Sequence, residues 1–326
     1  MRGRRGWRAA VAALVVAAGI AGCGGSGGGN STKDTLLTGI DGVAGADRLT
    51  TTIRLDTTPG DLEKLAQRSG DTLDPQIASA IAGADIVIET VRGDGTAVDL
   101  KAVAGGSTLV ELRSVNDTLY LQGDVRGIFS LIDKKSEFAN LKAQTNSMPS
   151  FVQAVVNGGW VSLPASTLSS LANLGGGSSS SSASGQGAKL LADLRRSIDR
   201  HVTVTESGTD SHGTHYVLHA DVRDLANDLR AAAQNSIPGG ALLSQRLPSN
   251  VAHKTIAFDA WVRDGALTQL SIDVLQFGDT KSSDGSTLPL VIGFDRTGAD
   301  IAPPADATPV DLTQLSTLFG ALTGGG

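Results

Sequence analysis

The only thiol of the chain stands where a lipidation motif requires one. Cys23 is the single cysteine among 326 residues, and it directly follows Ile20-Ala21-Gly22. This run resembles the bacterial lipobox, in which small residues before the cysteine fit a signal peptidase and the thiol receives a diacylglycerol group. An ordinary secretory signal with an incidental cysteine is the alternative. A lone cysteine also excludes an intramolecular disulfide framework and a Cys-rich zinc site.

The residues before Cys23 have the layout of an export signal. Residues 2–8 contain four arginines and no acid, and residues 9–20 form an apolar run. That run is shorter than the roughly 20 residues that a membrane-spanning helix needs. We therefore predict a signal peptide over residues 1–22, then a lipidated Cys23 and a flexible Gly/Ser leash over residues 23–33. Arg4-Arg5 leaves twin-arginine export open beside the favoured general secretory route.

No other residues form a convincing catalytic or metal-binding pattern. His215 and His219 share a face of a strand but lie about 13 Å apart there, too far for one ion, and His212 belongs to the preceding turn. Residues 24–28 match G-x-S-x-G only within the leash, with no strand before them and no helix after them. We therefore predict no enzyme, no catalytic residues, no metal site and no cofactor.

The charge balance argues against a nucleic-acid partner. The chain has 27 Lys+Arg against 33 Asp+Glu, a net charge of -6, whereas phosphate binding needs a surplus of cations. The short clusters Lys134-Lys135 and Arg195-Arg196 are interpreted as solvated helix faces. Removing the signal peptide takes four arginines and no acid, which leaves 23 bases against 33 acids and changes the charge from -6 to -10. Such a body would be repelled by an anionic membrane, so it needs its lipid to stay there.

Alternating apolar and polar residues predict two groups of strands. An Asp264-Gly265 turn signal predicts that the two strands flanking it form an antiparallel hairpin. The first group of predicted strands covers residues 50–56, 85–91, 96–103, 108–114 and 118–124, and the second covers residues 201–207, 214–221, 254–262, 267–277 and 288–295.

Helices are predicted between these strands. Thr58-Pro59-Gly60-Asp61 combines a cap, a proline in the first turn and an acid, and Thr308-Pro309-Val310-Asp311 repeats this start before an apolar terminal stripe. Asp124-Val125-Arg126 and Asp221-Val222-Arg223 each lead from a strand into a helix, either as an internal repeat or as a shared capping solution. The other predicted helices cover residues 75–82, 125–132, 149–156, 164–174, 188–198 and 222–233.

A Gly/Ser-rich segment, residues 175–187, separates the two groups of strands. Its thirteen residues carry no large side chain to pack, which predicts a disordered loop. The strands on its two sides have the same character. We therefore favour a single domain over residues 34–326 with this segment as an insertion, and two domains are the alternative.

Four short strand motifs follow one another along the chain: Asp117-Thr118-Leu119-Tyr120-Leu121, Gly159-Trp160-Val161-Ser162-Leu163, Gly213-Thr214-His215-Tyr216-Val217 and Phe258-Asp259-Ala260-Trp261-Val262-Arg263-Asp264-Gly265. In the same order they resemble the strand motifs of one family, the LppX/LprG-type actinobacterial lipoproteins. Pro303-Pro304 and Val310-Asp311 fit the end of its pattern, whereas the loop at residues 175–187 departs from it. The resemblance implies the fold of the LolA and LolB localisation factors. That fold is α+β, a strongly curved antiparallel β-sheet (a half-barrel) with helices over its concave face.

The resemblance implies a membrane-anchored envelope lipoprotein that carries lipids or lipidated molecules in a cavity between sheet and helices. The expected location is the outer face of the cytoplasmic membrane, with a membrane transporter as a possible partner. The alternative is an adaptor lipoprotein that holds an envelope protein without lipid cargo. Each candidate cavity residue has ordinary core as its alternative role. The candidates are Leu62, Leu65, Ile77, Ile81, Ile128, Phe129, Phe151 and Leu225.

Overall fold

Two compact units make up the chain in the computed structural model. The first unit comprises residues 1–57 and 177–297, and the second comprises residues 58–176 and 298–326. Within them the structure describes residues 32–93, 96–164, 166, 196–224, 227–228, 231, 253–277 and 286–310. The predicted signal peptide, Cys23 and the loop at residues 175–187 lie outside the described residues.

The first unit is an antiparallel sheet with a helix packed on it. Its strands are ordered β1-β11-β10-β9-β8-β7, and every neighbouring pair in that order is antiparallel. The elements are α1 (Thr32–Ala44), β1 (Arg48–Leu55), β7 (Val202–Asp210), β8 (Gly213–Asp221), β9 (Thr255–Arg263), β10 (Ala266–Asp273), a 3-10 turn (Val274–Phe277) and β11 (Pro289–Asp295).

The hairpin predicted around Asp264-Gly265 is confirmed. Both turn residues have positive φ, 52° for Asp264 and 69° for Gly265, as a tight two-residue turn requires. The strand before it pairs with the strand after it from Arg263 and Ala266 onward. The second strand ends at Asp273 rather than at the predicted Phe277, because the Asp273 carboxylate accepts backbone N–H bonds from Leu275 and Leu288 and turns the chain.

Helix α1 lies against this hairpin at unusually close range. Leu36 and Val43 are fully buried. A Cβ at Gly42 would lie closer than 3.0 Å to the backbone oxygen of Gly265, and one at Gly39 would meet Val262. The two glycines therefore let the helix approach the backbone of the turn. The sequence analysis does not predict this helix, which begins inside the segment assigned to the leash.

The second unit is a β-meander. Two of its helices precede its strands, and three lie between the fifth and sixth strands of the chain. Its strands are ordered β12-β6-β5-β4-β3-β2, antiparallel except for the short parallel pair β12–β6. The elements are α2 (Pro59–Arg68), α3 (Pro75–Ala82), β2 (Asp85–Val91), β3 (Ala97–Ala104), β4 (Ser107–Val115), β5 (Thr118–Gly123), α4 (Val125–Leu131), α5 (Lys135–Gln144), a 3-10 turn (Thr145–Ser147), α6 (Ser150–Val156), β6 (Val161–Pro164) and β12 (Thr308–Pro309).

Side-chain caps start three of these helices, as the sequence predicts for the first of them. The Thr58 hydroxyl accepts from the Asp61 N–H, and Asp74 accepts from the N–H groups of Gln76 and Ile77. Asp124 accepts from the Gly127 N–H. Such caps satisfy N–H groups that have no partner within the helix.

The two Asp-Val-Arg junctions use the same cap. Asp124 binds the N–H three residues later, and Asp221 binds the N–H groups of Arg223 and Asp224. The shared capping solution is therefore present at both places, because a carboxylate at the end of a strand can accept from the first turn that follows. The question of an internal repeat stays open.

The predicted fold class is confirmed: the protein is α+β, its strands are antiparallel except for the short pair β12–β6, and the sheet is open. One predicted helix start is wrong, because Thr308–Pro309 pairs with Val161 and Ser162 as a strand. The apolar stripe after it, over residues 312–322, lies outside the described residues, as do most of the helices predicted over residues 164–174, 188–198 and 222–233. Helix α5 is a further element that the sequence analysis does not predict.

Candidate hydrophobic binding surface

A row of aliphatic side chains crosses the sheet of the second unit. Ile88 pairs with Leu100, Leu100 with Leu112, Leu112 with Leu121, and Leu121 with Val161. Residues directly opposite one another in a sheet point to the same face. These five side chains therefore form one continuous apolar row from β2 to β6, which we call the aliphatic row.

The aliphatic row is only half-buried, apart from its last member. Ile88, Leu100, Leu112 and Leu121 all retain partial solvent access, whereas Val161 is buried. In the first unit, apolar side chains that lie side by side on neighbouring strands are buried from solvent. There Tyr216, Leu218 and Ala260, which lie on one face of β8 and β9, are almost completely buried. The second unit thus leaves accessible a surface of the type that the first unit uses as core.

The opposite face of the same strands has the reverse character. Asp99 is 3% exposed and Glu111 is 8% exposed, although charged side chains are seldom this deeply buried without partners. Alternation along a strand places Asp99 and Lys101 on the face opposite Leu100, and places Glu111 and Arg113 opposite Leu112. We call Glu89, Asp99, Lys101, Glu111 and Arg113 the ion-pair cluster.

Cross-strand ion pairs hold the cluster together. Arg113 donates from Nε to Asp99 Oδ2 over 3.1 Å and from Nη2 to Glu111 Oε1 over 2.5 Å. Lys101 Nζ donates to Glu89 Oε2 over 2.7 Å and lies 3.3 Å from Asp99 Oδ2. Three carboxylates therefore share two cations, and Asp99 Oδ1 is left buried without a hydrogen-bond partner.

The surplus carboxylate changes the protonation of Asp99. Burial, followed by a hydrogen bond to Glu111 and repulsion from its charge, raises the pKa of Asp99 to about 6. Lys101 and Arg113 oppose this rise but do not cancel it. Burial also disfavours the charge of Arg113, but hydrogen bonding to Glu111 and the charges of Glu111 and Asp99 raise its pKa above the usual value.

The late chain segment and a tryptophan cover part of the cluster. Arg113 Nη1 donates to the carbonyl of Ala302 over 3.3 Å, and its guanidinium lies 4.8 Å from the Trp160 ring centroid. The sequence analysis missed this cluster. Its signal is present as Asp99-x-Lys101 and Glu111-x-Arg113, in which opposite charges two residues apart share one face of a strand.

The predicted cavity residues fall into different environments. Leu62 and Phe151 are buried, in agreement with the core alternative, while Ile77 is 37% exposed. The cavity role of the set stays a prediction, and Leu225 lies outside the described residues. The half-buried members are Leu65, Ile81, Ile128 and Phe129.

Two grooves occur in the second unit, and none of these predicted residues lines either one within the described part of the chain. The larger, ≈ 570 Å³, lies between α4 and α5 and is lined by Arg126, Ser130, Lys135, Phe138, Ala139 and Lys142. The smaller, ≈ 260 Å³, is lined by Thr108, Glu111, Gln122, Gly123, Asp124 and Gly158.

The histidines of the first unit engage in local contacts. His215 stacks on Trp261 with ring centroids 4.6 Å apart, and its Nε2 lies 2.9 Å from Asp259 Oδ1. Trp261 Nε1 donates to Asp210 Oδ2 over 2.7 Å. His212 lies in the turn before β8, as predicted. The described residues contain no group of three or more His, Cys, Asp or Glu side chains placed to hold a metal ion.

None of the helices among the described ranges is both long and apolar enough to cross a membrane. No protein-family model matches the sequence, and no curated protein matches it.

Two solved structures of mycobacterial proteins match most of the chain. One is the crystal structure of lipoprotein LppX from Mycobacterium tuberculosis, with a TM-score of 0.33 and 11% identity, covering 83% of this chain and 96% of that chain. The other is LprF from Mycobacterium bovis, with a TM-score of 0.36 and 10% identity, covering 84% and 96%.

Proposed function

We propose that this protein is an exported envelope lipoprotein that binds the acyl chains of a lipid on the aliphatic row of its second unit. The observation that carries the proposal is the half-buried state of Ile88, Leu100, Leu112 and Leu121 in register across four neighbouring strands. Acyl chains are linear and apolar, so a continuous row of leucine and isoleucine side chains is complementary to them.

The energetics favour an apolar ligand on this surface. Fully burying a leucine or isoleucine side chain is worth about 1.5 to 3 kcal/mol relative to leaving it exposed. A ligand that covers four such half-buried side chains recovers part of that free energy at each position. The row itself offers no charge or hydrogen-bonding group, so it would select cargo by hydrophobicity and shape.

The anchor supplies the location in this proposal. A diacylglycerol on Cys23 would hold the body at the outer face of the cytoplasmic membrane, because each buried methylene contributes about 0.8 kcal/mol to membrane binding. Residues 24–31 separate Cys23 from the start of α1. Eight residues span at most about 28 Å when fully extended, so the folded body would remain close to the lipid surface.

The test is lipid binding by the mature chain, residues 23–326, carrying Cys23→Ser so that no anchor competes. Lipids extracted from the purified protein would be identified by mass spectrometry, and a fluorescent fatty acid would be titrated. Leu112→Gln should weaken the affinity about 10-fold, because it places an amide in the centre of the row. Val217→Gln is the matched control, a half-buried aliphatic on β8 of the first unit, and it should bind like the parent.

Protein that carries no lipid and does not bind the probe would refute lipid binding. If an envelope protein then co-purified with the parent but not with Leu112→Gln, the aliphatic row would instead hold a protein, and the adaptor alternative would replace the lipid carrier.

A further inference from the structure

The groove between α4 and α5 combines an apolar floor with a cationic rim. It has a volume of ≈ 570 Å³, with Phe138 and Ala139 in its wall and Arg126, Lys135 and Lys142 around it. The Phe138 ring packs against Phe129 with centroids 6.0 Å apart. The proposed cargo surface on the sheet does not include any of these residues.

The rim cations are largely uncommitted. Arg126 and Lys135 are exposed and make no ion pair or hydrogen bond with another described residue. Lys142 donates only to the neutral side-chain oxygen of Asn157. Of the nearby acids, Glu137 is paired with Lys134, and Asp124 caps α4 through the Gly127 N–H. Asp133, next to Ile132, is exposed and offsets one of the three remaining cations. Positive charge therefore remains on the rim.

This positive charge is local. Residues 125–144 contain four bases, Arg126, Lys134, Lys135 and Lys142, against two acids, a net charge of +2, while the whole chain has a net charge of -6. The charge around the groove is therefore opposite in sign to that of the chain as a whole.

An exposed apolar side chain lies between the groove residues Ser130 and Lys135 in the chain. Ile132, at the end of α4, is 46% exposed, the highest value for a large hydrophobic side chain in the described ranges. Exposed aliphatic groups together with lysine and arginine are typical of segments that lie in the interface of an anionic bilayer, where the apolar group enters the acyl boundary and the cations meet phosphates.

We propose that the α4–α5 groove and Ile132 form a docking surface for anionic phospholipid bilayers, which turns the second unit toward the membrane. Charge complementarity selects this occupant: the surface is cationic and the outer boundary of the bilayer is anionic. An acidic protein surface would match the cations but would offer no apolar environment for Ile132. The docking is independent of the proposed cargo, since it uses different residues and needs no occupied aliphatic row.

The experiment measures vesicle binding by the mature chain carrying Cys23→Ser, which retains every described residue. Flotation would compare vesicles of 30 mol% phosphatidylglycerol in phosphatidylcholine with vesicles of phosphatidylcholine alone. Binding should occur to the anionic vesicles and should decrease with salt. Arg126→Gln with Lys135→Gln should reduce the partition coefficient about 25-fold, which is about fivefold for each cation removed. Ile132→Ser should weaken the binding that remains at high salt.

The matched control removes two cations from another helix, by Lys64→Gln with Arg68→Gln on α2. Both double variants change the net charge equally, so loss of binding confined to the first identifies the groove as the docking surface. Equal loss in both, equal binding to neutral and anionic vesicles, or no vesicle binding would overturn the proposal. Complete competition by glycerol phosphate at constant ionic strength would also overturn it, in favour of a single head-group site.

Discussion

Asp99 lies on an ordinary strand, yet the pKa of its carboxyl group is raised. In sequence it is one of several acids that alternate with apolar residues, and the pattern Asp99-x-Lys101 does not show how deeply its carboxylate is buried. Pairing of β3 with β2 and β4 places Glu89 and Arg113 opposite it and Glu111 close by. The sheet then buries three carboxylates with two cations, which raises the pKa of Asp99 to about 6.

The sign of the pH dependence follows from this raised pKa. The pKa of Asp99 is 3.8 in the unfolded state and about 6 in the folded state. At pH values between these two, the folded state binds more protons than the unfolded state. The contribution of Asp99 to the free energy of unfolding is therefore fully present below pH 3.8 and is lost as the pH rises through about 6.

We expect Asp99→Asn to remove this decrease in the free energy of unfolding with rising pH, because the amide keeps the shape of the side chain and does not titrate. Urea unfolding at a series of pH values from 4 to 7 would measure the free energy of unfolding. The change over that range should differ between the variant and the parent by at most about 3 kcal/mol. Glu89→Gln, a more exposed member of the same cluster, is the control and should keep the parental slope. Parallel slopes for Asp99→Asn and the parent would contradict the assignment.

Helix α1 shows how an element depends on contacts distant in sequence. Its residues include Gly39 and Gly42, and glycine in a helix interior costs about 1 kcal/mol relative to alanine. The helix is held by burial of Leu36, Leu37 and Val43 and by the approach of both glycines to the β9–β10 hairpin. Packing therefore outweighs the poor intrinsic propensity of the segment.

Gly42→Ala should lower the free energy of unfolding by about 1 to 3 kcal/mol, because the new methyl group would collide with the backbone at Gly265. Gly60→Ala on α2 is the matched control, since its Cβ would meet nothing within 4 Å. The control should be neutral or slightly stabilising, as expected for an open helical position. Denaturant titration of both variants checks this, and equal stability of Gly42→Ala and the parent would show that α1 does not pack so tightly.

At the scale of the whole molecule, an acidic body is combined with a predicted lipid anchor at Cys23. The net charge of -6, or -10 after removal of the predicted signal peptide, disfavours an anionic membrane. The proposed docking surface on α4 and α5 would act against this overall repulsion, and the predicted lipid on Cys23 would strengthen the weak binding that the surface provides.

Cys23→Ser in the full precursor should abolish metabolic labelling with a radioactive fatty acid and move the protein out of the membrane fraction. The physical reason is that the acyl chains supply most of the membrane affinity, whereas a few surface cations supply only weak, salt-dependent binding. Labelling that persists in this variant would show that another residue carries the lipid. Loss of labelling with full membrane retention would show that the anchor is dispensable.

The amino-acid sequence alone determined what depends on local order. The strand positions and the Asp264-Gly265 hairpin follow from alternation and turn chemistry, as does the capped start of α2, and all three are confirmed. The sequence also predicts the export signal and the lipid site, because these depend on residues adjacent in the chain.

Only the tertiary structure decided which apolar side chains stay accessible, which charged side chains are buried and which cations lie together. It left the row through Leu100 and Leu112 accessible while it buried Asp99, and it brought Arg126 and Lys135 to one groove. It also placed Thr308–Pro309 in a strand, against the capping pattern. Burial and charge pairing depend on strands and helices separated by tens of residues, so no local pattern contains them.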